Sequence, residues 1–263
     1  MIATGETASK QTDSKPGNHT WLPGALVFLV LGLLTLLTFQ LDDPAEHWIR
    51  EHRTKLYKDW AGHISEFGDW PWLMAAGAAA GGICWWRGKR ELTRVILMMM
   101  LASTLAGAAA NTLRLTTGRT RPNVRHVEQG FYGLRHDGKW LIGTNKFNSF
   151  PSGHTATAFG FLAVPFFLVV GGSKKSRPTP PVSDESNEAR RSFYFGAVVG
   201  YLLLAGGVVM ALARMTIDAH HLSDVCLGAW FGFLGAWVIV TLDPARKLLS
   251  SRDTHETVHP RGF

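Results

Sequence analysis

Three short stretches hold the residue types able to do chemistry: "RLTTGRTRP" at 114–122, "PSGH" at 151–154 and "RMTIDAHHLSD" at 214–224. Arg114, Arg121 and Arg214 carry planar, permanently charged forks that match the oxygens of a phosphate. Ser152 adds a hydroxyl. A helix opening at Ser152, Gly153 and His154 would add backbone N–H donors, a natural place for an anion. His154 and either His220 or His221 exchange protons near neutral pH, and Asp224 is an acceptor for an imidazole N–H. This set fits phosphoryl transfer without a metal, because arginines supply the charge neutralisation that Mg²⁺ supplies elsewhere. Asp224 follows His220 by four residues and His221 by three. On a helix either pair shares a face, so spacing alone leaves both histidines open.

The elements that must position these residues are apolar. Hydrophobic residues make up 46% of the 263-residue chain, but they are bunched. Six runs approach the ~20 residues that span a bilayer: Trp21–Phe39, Trp70–Trp86, Thr93–Ala110, His154–Gly171, Ser192–Ala213 and Ser223–Leu242. The second is short and rich in Gly and Ala, which suits a helix packed closely among others in lipid. A soluble helical protein would need an implausibly large polar shell around six such runs. The first run is of spanning length and lacks a cleavage-site pattern, so it reads as a retained helix rather than a signal peptide. Trp21, Trp70, Trp72, Trp85 and Trp86 fall near run ends, where an aromatic belt would lie. Cys84 and Cys226 sit inside apolar runs without metal-ligand spacing, and read as core residues.

The net charge of +7 is placed unevenly. Lys10, Lys15, Arg87, Lys89, Arg90, Arg94, Lys174, Lys175, Arg177, Arg190, Arg191, Arg246, Lys247, Arg252 and Arg261 share one side if all six runs span. The positive-inside rule makes that side the cytoplasm. The expected layout is a cytoplasmic tail at 1–20, a six-span domain at 21–242 and a cytoplasmic tail at 243–263, with 171–191 a flexible linker. On the other side, residues 40–69 contain "EHWIREHRTKLYKDW", an amphipathic helix expected to lie in the interface, either docking lipid or, the favoured reading, covering helix ends. Arg114, Arg119, Arg121 and Arg125 run against the charge bias there, which points to an anionic ligand. Residues 130–150 form a polar, aromatic loop, either a lid or a connector.

Taken in order, the three stretches resemble the signature of the type 2 phosphatidic acid phosphatase (PAP2) superfamily, whose pattern is K-x6-RP, then PSGH, then SR-x5-H-x3-D. Arg121-Pro122, Pro151-Ser152-Gly153-His154 and Arg214, His220 and Asp224 carry the match. Its register selects His220, not His221. The leading lysine is Arg114 here, and the serine before Arg214 is Ala213. Arg114 stands seven residues before Arg121, about two turns, and would share its face if the stretch were helical.

The resemblance implies an all-α polytopic membrane protein with six transmembrane helices and a PAP2/haloperoxidase-like core. It implies His220 as nucleophile forming a phosphohistidine, with Asp224 orienting its ring and His154 protonating the leaving oxygen. Arg114, Arg121, Ser152, Gly153 and Arg214 would bind the phosphate, and neither metal nor cofactor is called for. The expected partners are a lipid phosphate and membrane lipids, with no nucleic acid; oligomeric state is not legible. The expected location is a bacterial inner membrane, with the site facing the periplasm or outer surface. Candidate substrates are undecaprenyl pyrophosphate, phosphatidate, phosphatidylglycerol phosphate and lipid A phosphates. A lipid phosphotransferase would use the same intermediate, and a non-enzymatic scaffold would not need the histidines. The soluble haloperoxidases share the pocket but not the spans. Asp218, His221, Arg119, Arg125, His126 and His136 receive no role at this level.

Overall fold

A computed structural model describes residues 22–172 and 184–242, with side chains for 24–169 and 190–242. The expectations for Trp21, both tails, Lys174, Lys175, Arg177 and residues 173–183 of the linker lie outside the described residues; the linker's ends, 171–172 and 184–191, are helical instead, as parts of the flanking helices.

All six apolar runs are helical. Helix α1 (Leu22–Leu37) passes through a 3-10 turn (Thr38–Leu41) into α2 (Asp42–His52), followed by α3 (Lys55–Phe67), α4 (Trp70–Trp86) and α5 (Arg90–Thr117). A long connection leads to α6 (Gly153–Gly172), then α7 (Asp184–Thr216) and α8 (Leu222–Thr241). Among the described residues, four stretches are long and apolar enough to cross a membrane: Gly24–His52, Arg90–Thr117, Arg190–Thr216 and Leu222–Thr241. Trp70–Trp86 and Gly153–Val169 are shorter. The only strands among the described residues pair Arg135–His136 with Lys139–Trp140 in a small antiparallel hairpin within the α5–α6 connection.

Helix α6 is central, flanked by α5, α7 and α8, with α4 outside α5 and α1 outside α8. Lipid tails are as apolar as leucine, so these helices gain little by hiding leucine from lipid and associate through close packing of small residues. The buried contacts are accordingly Ala102, Ser103, Ala106 and Ala110 of α5, Ala156 and Ala163 of α6, and Gly232 and Ala236 of α8. Gly232 marks a close approach of α8 to α6: a Cβ there would lie 2.4 Å from Phe159 Cβ and 2.8 Å from the Gly160 nitrogen. Large apolar side chains face outward instead, among them Leu29, Leu33 and Leu36 of α1 and Tyr201, Leu202 and Leu212 of α7. Exposed apolar surface on this scale fits lipid contact.

Two further local readings change. The amphipathic segment is two helices, not one: the chain turns extended at Arg53 (φ −76°, ψ 132°), and the Thr54 hydroxyl accepts the Tyr57 N–H to open α3. Both helices cover the α7–α8 end of the bundle, where Arg50 and Arg53 reach Asp218 at 3.0 and 2.6 Å. Arg114 and Arg121 do not share a helical face either. Helix α5 stops at Thr117 because Gly118 is left-handed (φ 58°), and a side chain there would meet the Gly133 carbonyl at 2.1 Å.

Gly232→Ala should therefore lower thermal stability in detergent by about 1–3 kcal/mol through overpacking. Gly62→Ala in α3, with open space around it, should not. Equal melting temperatures for the two variants would show that the α6–α8 approach is not limiting.

Candidate active site

The three motif stretches meet at one end of the bundle, and a buried carboxylate joins them. Asp224, in the first turn of α8, has no exposed surface. Its Oδ1 accepts from Arg119 Nη1 at 2.6 Å. Its Oδ2 accepts from the Ser149 hydroxyl and, at 2.8 Å, from the His221 backbone N–H. His220 lies in the α7–α8 connection with its Nδ1 3.6 Å from Asp224 Oδ2. That nitrogen donates to the Ser149 carbonyl at 2.7 Å. Ser149 thus serves both residues, and it fixes the tautomer that leaves His220 Nε2 as a free base. Nε2 is buried and has no hydrogen-bond partner among the described residues. Burial pushes the His220 imidazole down to about 4, with Asp224 opposing the shift.

Of the phosphate-binding candidates, Arg121 and Arg214 act electrostatically on His220, and Arg114 acts on both of them. Arg114 near the end of α5, Arg121 in the following loop and Arg214 near the end of α7 each have a buried Nε without a hydrogen-bond partner among the described residues. Burial lowers the Arg121 pKa from its ordinary value, and Asp224 counteracts this. Gly153 opens α6 where a side chain would crowd Arg114 Nη1 at 3.4 Å. Ser152 is fully buried, and its backbone N–H is committed to the Asp224 carbonyl at 2.9 Å. Of the three N–H groups expected to face an anion, those of Gly153 and His154 therefore stand at the helix start. His154 lies within electrostatic reach of Arg114, Arg121, Arg214 and His220, and its Nε2 is 2.6 Å from Asp69 Oδ1. All eight sequence-predicted residues come together.

His221 turns away from them. Its Nε2 contacts the Thr120 carbonyl at 3.2 Å and its Nδ1 lies 3.4 Å from Glu46. Sequence reasoning missed Arg119, which bridges Asp224 and Asp42 at 2.6 Å each beneath the rings of Phe39 and Phe131. Asp42 in turn accepts the backbone N–H and hydroxyl of Ser223 at 2.7 and 2.6 Å. Arg119 lay inside a motif and was legible as exported charge. Asp42, Asp69 and Ser149 carried no signal. Among the described residues no group of three or more His, Cys, Asp or Glu is placed to hold a metal ion.

Residues 91–248 match a family model described as the PAP2 superfamily. The chain is 29% identical over 174 residues to the probable diacylglycerol pyrophosphate phosphatase 1 of Schizosaccharomyces pombe, covering 60% of this chain and 55% of that one. It is 26% identical over 163 residues to diacylglycerol pyrophosphate phosphatase 1 of Saccharomyces cerevisiae, covering 56% and 52%. It spans about half the length of these curated relatives. A crystal structure of a transmembrane PAP2 type phosphatidylglycerolphosphate phosphatase from Bacillus subtilis shares the fold, with a TM-score of 0.55 at 16% identity over 89% of this chain and all of that one.

Removing Arg119 as Arg119→Met leaves two buried carboxylates uncompensated and should cost about 3–5 kcal/mol of stability in a detergent melt. Arg119→Lys should recover part of it. An unchanged melt would show that this ion triad does not hold the loop. The lowered His220 value also sets a pH limb. If His220 acts as the nucleophile, its neutral form persists as pH falls from neutrality, and kcat/KM, corrected for substrate ionisation, should drop only as pH passes through about 4. A limb near the ordinary histidine value would show that His220 does not govern it.

Proposed function

Since the chain belongs to the PAP2 superfamily, we propose that it is a membrane-embedded, metal-independent phosphatase acting on a lipid phosphate or pyrophosphate. The observation carrying this reading is the buried Nε2 of His220, without a hydrogen-bond partner among the described residues, with the charges of Arg121 and Arg214 acting on it and Arg114 beside them. A neutral imidazole nitrogen is a nucleophile, and the arginines neutralise the charge on the phosphoryl oxygens in the transition state. His220 Nε2 attacks phosphorus, the bond to the leaving oxygen breaks, and His154 gives that oxygen a proton. Water then attacks the phosphohistidine, His154 takes the water's proton, and phosphate leaves. Asp224 steadies the cationic ring that forms on His220. Arg114, Arg121, Arg214, Ser152 and the Gly153 N–H hold the phosphoryl oxygens.

An amphiphilic substrate suits a site at the end of apolar helices. The names of the curated relatives add diacylglycerol pyrophosphate to the candidates read from the sequence. We assign the site to the periplasmic or outer face on the positive-inside count, in a six-span topology.

The test is phosphate release by purified protein across phosphatidate, phosphatidylglycerol phosphate, undecaprenyl pyrophosphate, diacylglycerol pyrophosphate and lipid A. Release should persist in excess EDTA and be inhibited by vanadate, which adopts the five-coordinate geometry of phosphorus in flight. His220→Ala should abolish turnover and His221→Ala should leave much of it. Activity lost with EDTA and restored by Mg²⁺, or surviving in His220→Ala, would overturn the mechanism. Transfer of phosphate to an added alcohol without net release would identify a phosphotransferase.

A further inference from the structure

Asp69 sits at the position before α4 where an aspartate ordinarily caps the helix, accepting an N–H of the first turn. It makes no such bond here. Its carboxylate reaches across to α6 instead, where Oδ1 lies 2.6 Å from His154 Nε2. The same charge is felt by Arg114 and Arg214. The groups facing His154 from the other packed elements are all cations or potential cations: Arg114 from α5, Arg121 from the α5–α6 connection, Arg214 from α7 and His220 from the α7–α8 connection. A proton donor in that company needs a carboxylate beside it, since the positive charge of a protonated ring meets repulsion from the other directions.

We propose that Asp69 is a positioning residue for the leaving-group step, holding the His154 ring by Nε2–H and leaving Nδ1–H for the departing oxygen. This rests on the phosphatase reading above. When the phosphorus–oxygen bond breaks and the His220–phosphorus bond forms, the Nδ1 proton passes to the leaving oxygen and the ring is left neutral, still donating Nε2–H to Asp69. In the second half, Nδ1 takes a proton from the attacking water, and Asp69 stabilises the imidazolium that results. The site then contains two carboxylate–histidine pairs of different purpose: Asp224 beside the nucleophile, Asp69 beside the acid.

The discriminating property is the leaving group. An alkoxide needs a proton as it departs; a phenolate, being far less basic, needs it much less. Wild type, Asp69→Asn and Asp69→Glu are assayed in detergent on phosphatidate and on a matched pair of alkyl and aryl phosphate amphiphiles. Asp69→Asn should lower kcat on phosphatidate and the alkyl phosphate by about 10²-fold with KM little changed, while the aryl phosphate loses less than about threefold. Asp69→Glu should recover part of the loss. Equal losses on alkyl and aryl substrates would make Asp69 merely structural and overturn the proposal. A lower KM with kcat unchanged would make its carboxylate only a competitor for the arginines, and would overturn it too. A wild type inert on every lipid phosphate overturns the phosphatase reading and this proposal with it. An active wild type matched by Asp69→Asn overturns the role of Asp69 alone.

Discussion

A carboxylate kept charged away from solvent must be saturated with donors, and at the site end of this bundle that carboxylate is Asp224. Left unpaired, a buried charge costs several kcal/mol. Its donors come from three places: Arg119 after α5, Ser149 before α6, and the backbone of His221 before α8. Satisfying one side chain therefore fixes three chain segments against each other, and these are the segments that carry the motif residues. Ser149 extends the constraint, because its carbonyl accepts the Nδ1 proton of His220 while its hydroxyl serves Asp224. Arg119 extends it the other way, to Asp42 at the start of α2, and so ties the helices covering the bundle end to the same point.

Around that fixed point the charges are unfavourable to one another. Arg114, Arg121 and Arg214 converge with their Nε atoms unpartnered among the described residues, a gathering of like charge that Asp69 and Asp224 offset only in part and that needs a stiff scaffold. The stiffness comes from the helices beneath. Where α6 and α8 touch at Gly232 there is no room for a methyl group, and α5 presents Ala102, Ala106 and Ala110 to the same layer. Close backbone contact leaves little freedom for the helix ends to splay. The membrane scaffold and the electrostatics thus have one requirement in common, small residues in the layer below the cations.

Much of this was legible in the sequence, for identifiable reasons. The six apolar runs became six helices because length and hydrophobicity are local properties, and the motif residues assembled because their identities and order are specific. Choosing His220 over His221 needed the register of the whole third motif; the structure shows why the neighbour differs, since the His221 ring points to Thr120 and Glu46. The helical relation expected between Arg114 and Arg121 was lost at Gly118, whose left-handed turn spacing arguments do not see. Asp42 and Asp69 were silent for another reason. Asp42 meets Arg119 across 77 residues and Ser223 across 181, and Asp69 meets His154 on a different helix. Pairing at that distance is a property of the fold and leaves no periodicity to read.

The placement of the cations also bears on what kind of molecule the proposed phosphatase favours. Leu29, Leu33 and Leu36 of α1 and Leu202 and Leu212 of α7 are exposed on the flanks of the bundle, while Trp48 and Trp60 are exposed on the covering helices. A lipid phosphate satisfies both surfaces at once, its headgroup among the arginines and its tails along apolar helices. Contacts to the tails are the same before and during phosphoryl transfer, so they strengthen binding without speeding the chemical step. In the proposed mechanism rate must come from groups whose interactions change as bonds change: the arginines as phosphoryl charge redistributes, His220 as it bonds to phosphorus, and His154 as protons move. On this reasoning the tails select an amphiphile, while discrimination between a phosphomonoester and a pyrophosphate falls to the His154 side of the site, where the leaving group departs.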